Sequence, residues 1–233
     1  MLATVARDGF AGRERRDDKV KNQLFRGRSP HKRATLSGRV SLYRIALCCR
    51  AAPGLGCGSR AKLVLLELES NPAVAEAWLN RSGTLLAVAG KITYPRSAFL
   101  QPLLDRHGLA GKAVRGEERA RALEGFLSGA GWYRGTEVDR LSEKEAEIIA
   151  ARLVRRLRAR LPLCDEKVEA LRSAFARVCA HELVQHPAKP EKARRERIAC
   201  EILEAGRRHL DAKEMAVLQE VAAVGYRPLR GDE

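Results

Sequence analysis

Apolar and polar positions along the chain follow two rhythms. From residue 41 to about 115 the apolar residues alternate with polar ones or cluster in short runs punctuated by Gly, Pro and Asn. From Glu117 onward they recur every three or four positions. The first rhythm predicts strands with interspersed helices, the second amphipathic helices throughout. SLYRIALCC at 41–49 alternates, with Leu42, Arg44 and Ala46 on one face and Tyr43, Ile45 and Leu47 on the other. After a Gly-rich loop, Ser59 opens a helix carrying Ala61, Val64, Leu65 and Leu68, which Asn71-Pro72 stops. AVAEAWLN alternates again, Asn80-Arg81-Ser82-Gly83 predicts a turn, and TLLAVAGKI has the composition of a buried strand. Ser97 opens a short helix through Leu100, Leu103 and Leu104, and GKAVRG closes the unit. The resulting order, β-α-β-β-α-β, is that of the ferredoxin-like, split βαβ plan.

In the second half, Ser142 and Glu145 have capping-box spacing and predict a helix start, as do Asp211 and Glu214. Leu161-Pro162, Pro187 and Gly225 read as stops, and Pro190 suits a first helical turn. Four amphipathic helices over 141–233 predict a helical bundle, joined to the ferredoxin-like unit (41–115) by a linker over 116–140. The fold class expected is therefore α+β.

Composition adds two constraints. At 45% apolar and 31% charged residues, the chain can bury a core, and no apolar run approaches the roughly 18 residues of a membrane span. The first twenty residues are charged throughout and lack a secretory h-region, so a cytoplasmic protein without membrane partners is expected. The net charge is +15, and its excess lies early: residues 1–40 carry eleven Lys/Arg against four Asp/Glu, and 41–115 ten against four. Residues 1–40, with Phe10 and Phe25 as their only aromatics, read either as a disordered basic arm or as a start annotated too early. The charge suits an acidic partner or weak nucleic-acid binding, although an Arg-rich coding bias produces the same excess. No recognition-helix motif is present, and aromatics for stacking bases are few.

Candidate chemistry concentrates between Cys48 and Arg60. Gly54-Leu55-Gly56-Cys57-Gly58-Ser59-Arg60 leads into the helix, and Ala61, Val64, Leu68, Glu69, Val74, Gly83 and Val88 follow. Over about 41–115 this pattern resembles the heavy-metal-associated domain of copper chaperones and mercury-binding proteins. That family has a G-M-x-C-x-x-C loop entering a helix and a strand–Gly–strand hairpin. The resemblance implies soft-metal handling or sensing, for Cu(I), Hg(II) or Zn(II), with Cys57 as a ligand. Leu55 replaces the family's Met, and Arg60 stands where its second Cys belongs. Cys48 and Cys49 are the nearby thiols that the longer loop would fold back to supply a second or third ligand. Arg60 and the helix N-terminus are expected to lower the pKa of Cys57. Two other readings stay open: a module that has kept the fold and lost the metal, and a redox thiol.

The helical half offers no equivalent. Cys179 and His181 point to opposite helix faces, and Cys179 and His186 lie two turns apart. HELVQH is one residue too long for a zinc-protease motif. Cys164, Cys179 and Cys200 are expected to be dispensable for metal binding, and a protein partner is the natural occupant of this half. No Walker loop, nucleophile elbow or dinucleotide fingerprint appears, so a binding protein rather than an enzyme is expected.

Overall fold

A computed structural model describes residues 37–91 and 97–230. The expected arm falls almost wholly outside them. A single 3-10 turn, Ser37–Arg39, leads into β1 (Val40–Arg44), α1 (Gly58–Ser70), β2 (Val74–Asn80), β3 (Leu85–Gly90), α2 (Ser97–Arg106) and β4 (Lys112–Ala113). Then come α3 (Gly116–Leu127), β5 (Trp132–Tyr133) and four consecutive helices, α4 (Asp139–Arg158), α5 (Asp165–Gln185), α6 (Glu191–Gly206) and α7 (Ala212–Val224). The class is α+β: an antiparallel sheet followed by a helical region. No helix among the described residues is long and apolar enough to cross a membrane.

The sheet has strand order β4-β1-β3-β2-β5, every neighbouring pair antiparallel. Leu42 opposes Ala87, and Ala87 opposes Trp78 on the other side. Both faces are covered, which explains why β2 and β3 are buried almost throughout. Ala77, Leu79, Leu86 and Val88 point into the main core with α1, α2 and the four long helices. Leu42, Trp78, Ala87 and Ala89 point the other way, into a smaller cluster closed by Phe126 of α3 and Trp132 of β5. Phe126 sits edge-on to both Trp78 and Trp132, with ring centroids 4.9 and 5.3 Å away. Residues 116–140 are therefore more than the linker that their polarity suggested. They supply the lid of the second face and a fifth strand.

One buried cluster runs from Ile45 to Tyr226 without a break, so the sheet and the long helices share a core. The join is tightest where α1 begins. A Cβ on Gly58 would lie 2.7 Å from the Ser142 backbone N and 2.8 Å from the Val138 carbonyl oxygen, so α1 and α4 approach as closely as glycine allows. Lys62 reaches Asp139 across the same contact, Nζ to carboxylate 2.8 Å.

This contact overturns the first expected capping box. Ser142 is helical and wholly buried, α4 starts three residues earlier at Asp139, and Glu145 turns inward. The second box is as expected. Asp211 accepts from the Lys213 and Glu214 amides at 2.9 Å each, and Glu214 accepts from the Asp211 amide at 2.9 Å.

The Gly58 contact and the Asp211 cap make a test pair. Gly58→Ala is expected to destabilise the protein by about 1–3 kcal/mol, because the new methyl meets the Ser142 and Val138 backbone as well as the Ser142 hydroxyl, and the backbone cannot turn aside. Asp211→Ala should cost about 1 kcal/mol. Urea denaturation checks both; a neutral Gly58→Ala would show that α1 and α4 are not in contact.

Candidate metal centre

β1 stops at Arg44, but the chain stays extended and its alternation persists. Ile45, Leu47 and Cys49 are buried, whereas Ala46 and Cys48 are exposed. The chain then folds back on itself. Leu47 O accepts from the Cys57 amide (2.7 Å), the Cys49 amide donates to Leu55 O (2.8 Å), and Cys48 bridges Gly56. The fold-back is permitted by Gly83 (φ +73°), whose missing Cβ would overlap the Leu47 carbonyl at 2.5 Å. Cys48, Cys49 and Cys57 thus reach one cleft of about 410 Å³. It is walled by this loop, the N-terminus of α1, Glu145 of α4 and the segments around Arg194 and Tyr226. Cys48 is exposed at its mouth, Cys49 is buried, and Cys57 is half-buried as the N-cap residue of α1.

Two backbone amides and one relay surround the inner sulfurs. Cys49 Sγ accepts from the Ala51 and Ala52 amides at 3.3 and 3.2 Å. Arg194 Nη1 donates to Ser59 Oγ at 2.8 Å, and Ser59 Oγ lies 3.5 Å from Cys57 Sγ. Arginine has no acceptor, so Ser59 accepts there and its own hydrogen is free for the sulfur. The loop itself is tied down by Arg152 of α4, which donates to Ala51 O (2.7 Å) and to Tyr226 O (2.9 Å).

Glu145 is the member that sequence reading missed. It is 4% exposed, lies beside the Cys49 thiol, and leaves Oε2 without a hydrogen-bond partner. Burial pushes its pKa up, against the pull of Cys49 and the Arg194 charge. Burial and then Glu145 push the Cys57 thiol up as well. This reverses the expected direction: the Arg60 amide, the Ser59 hydroxyl and the Arg60 charge do pull downward, but more weakly. Burial, Glu145 and then Cys57 raise Cys49 far above the ordinary thiol range. Cys179, buried on α5, is pushed up to about 12 by burial and by Glu145.

Two thiols face each other's field, amides and a hydroxyl are placed to support sulfur charge, and a buried carboxylate oxygen lacks a partner. Among the described residues, no three His, Cys, Asp or Glu side chains gather closely enough to hold a metal. In the helical half, Cys179 is buried and His181 exposed, on opposite faces as expected. The His181 and His186 rings lie only 6.1 Å apart, because His186 is the C-cap and has left helical geometry. No protein-family model, no curated protein and no solved structure matches the chain.

The raised thiols make stability fall with alkali. The folded chain holds these protons above pH 9.0, where an unfolded cysteine releases them, so stability is complete below that value. It declines as pH rises toward about 12. Glu145 adds a loss of the same sign at lower pH, above the ordinary carboxyl range. Denaturant midpoints measured from pH 7 to 11 (about one unit apart, near the span of ordinary thiol pKa values) should show this decline. Cys179→Val should flatten it, and an unchanged slope in that variant would contradict the assignment.

Proposed function

We propose that this chain is a soft-metal-binding protein that holds Cu(I) or Hg(II) between Cys57 and Cys49. The observation that carries the reading is the fold-back of the 48–57 loop, which brings the buried Cys49 thiol to the same cleft as Cys57 and within its electrostatic reach. Soft thiolates select these ions, and both accept two sulfur ligands. Zn(II) asks for four donors, and among the described residues no three donor side chains gather at one point. Cys48, turned to solvent, is assigned to the mouth as an entry ligand rather than to the bound state. The order β4-β1-β3-β2 of the first four strands supports a ferredoxin-like βαββαβ unit, with β5 as an added edge strand.

In this reading the metal supplies the positive charge that the buried carboxylate and sulfurs lack. The protein contributes donors, orientation and dryness. Cys49 is oriented by the Ala51 and Ala52 amides, and Cys57 by the Ser59 hydroxyl. Displacement of two high-pKa thiol protons makes affinity rise with pH.

Titration of the whole chain with Cu(I) or Hg(II) under reducing, competitor-buffered conditions tests the proposal, with native mass spectrometry as the readout. One ion per chain is expected. Cys57→Ser and Cys49→Ser should each weaken binding by more than about 100-fold, beyond the roughly 10–100-fold typical of an outer-shell loss. Cys48→Ser should have a small effect, and Cys164, Cys179 and Cys200 should be dispensable. Arg60→Cys should tighten binding by restoring the two-thiolate loop. Binding by Arg60→Cys alone, and none by the natural sequence, would make the chain a metal-free module and refute the reading.

A further inference from the structure

The cleft is much larger than the centre at its base. A water molecule's share of liquid volume is about 30 Å³, and a bare ion is of that order, whereas the cleft encloses about 410 Å³. That volume lies in the range of small-molecule sites, about 300–1,000 Å³. Its walls also carry the wrong sign for a free cation. Five Lys and Arg side chains line it against two carboxylates, Glu145 and Glu191. Glu191 is engaged by Arg227 and Arg195, and Lys189 by Glu182. Arg50 and Arg60 are exposed at the mouth and have no ion-pair partner among the described residues.

A bare Cu(I) or Hg(II) ion approaching this mouth is repelled, whereas an anionic complex of the same ion is drawn in. We propose that the metal arrives as an anionic complex of a small, carboxylate-bearing thiol, whose carboxylates are held by Arg50 and Arg60 while the ion passes to Cys57. This inference rests on the metal-binding reading and names the form of its substrate. The step is a thiol exchange. The bond between metal and carrier sulfur breaks, the bond between metal and Cys57 Sγ forms, and the proton leaving Cys57 goes to the departing carrier, which exits as a thiol. A second exchange at Cys49 releases the second carrier. The oxidation state of the metal does not change, and no further reactant is consumed.

The test compares two Hg(II) complexes with identical mercury–sulfur bonds and opposite charge, the anionic bis-glutathione complex and the cationic bis-cysteamine complex. Loading of the full chain is followed by acid quench and mass spectrometry, without oxygen. At low ionic strength the anionic complex should load at least tenfold faster, within the 10–10³ range of electrostatic steering. The advantage should vanish at about 1 M salt, where the Debye length is about 3 Å. The double variant Arg50→Glu, Arg60→Glu should reverse the order of the two complexes. Equal, salt-insensitive loading from both would overturn this inference and leave the metal-binding reading standing. Failure to load from either complex, and from mercuric chloride, would overturn both.

Discussion

The contact between Gly58 and Ser142 is the constraint on which the centre depends. Because α1 begins hard against α4, Ser142 cannot serve as an exposed cap, and the helix must start earlier, at Asp139. That phase fixes which side chains α4 turns toward the cysteine loop. Ser142, Glu145, Ile149 and Arg152 follow at spacings of three, four and three, one stripe of a helix, and all four are buried. Glu145 thereby meets Cys49, and Arg152 clamps the Ala51 carbonyl. A side chain at position 58 would push the helices apart and move both residues away from the sulfurs. The cleft is thus built between the sheet unit and the helices, with the thiols, Arg50 and Arg60 from one and Glu145, Lys189, Arg194 and Arg227 from the other.

Magnitudes decide the chemistry of the sulfurs. A helix N-terminus is worth about 0.3–1 kcal/mol to a nearby anion, less than the 1.36 kcal/mol of one pKa unit. Burial shifts an ionisable group by up to 3–5 units. The loop Cys at the head of α1 was therefore expected to be acidic for a real but minor reason, and its burial beside a carboxyl wins. A thiol held protonated in this way is a poor nucleophile at neutral pH. This weighs against a redox-thiol reading and favours a ligand whose proton is displaced only by a strongly binding metal.

How much of this was legible in the sequence follows from the range of the interactions involved. The sheet unit was readable because alternation and turn residues are local: Tyr43, Ile45 and Leu47 do face the main core, and Leu42 the opposite cluster. The Asp211 box was readable because its bonds are local and survive even though Lys167 also reaches the Glu214 carboxylate. The Ser142 box has the same spelling, and only a contact 84 residues away along the chain, at Gly58, decides against it. Glu145 was invisible for that reason, since a carboxylate on a helix looks solvated until a neighbour buries it. Residues 116–140 looked like a linker because α3 buries a single side chain, Phe126, and β5 is two residues long. The choice between Cys48 and Cys49 followed parity, odd residues inward, but the strand's true end at Arg44 left the register past it undetermined until the fold-back was seen.

Charge illustrates the same limit at the scale of the whole chain. Residues 116–233 carry twenty-three basic against twenty-one acidic residues, a near balance that suggests no field at all. Yet Lys189, Arg194 and Arg227 all come from that half, and they stand around the cleft with Arg50 and Arg60 from the other. Several acids of the helical half are engaged elsewhere, on helix faces in pairs such as Glu169–Arg172 and Glu204–Arg207. Exposed pairs of this kind contribute little to stability, but they remove their negative charge from the neighbourhood of the sulfurs. A potential at a site depends on where charges sit within about a Debye length, roughly 8–10 Å at ordinary salt. The fold, by bringing segments distant along the chain to one mouth, adds Lys189, Arg194 and Arg227 of the nearly balanced half to Arg50 and Arg60 of the basic one.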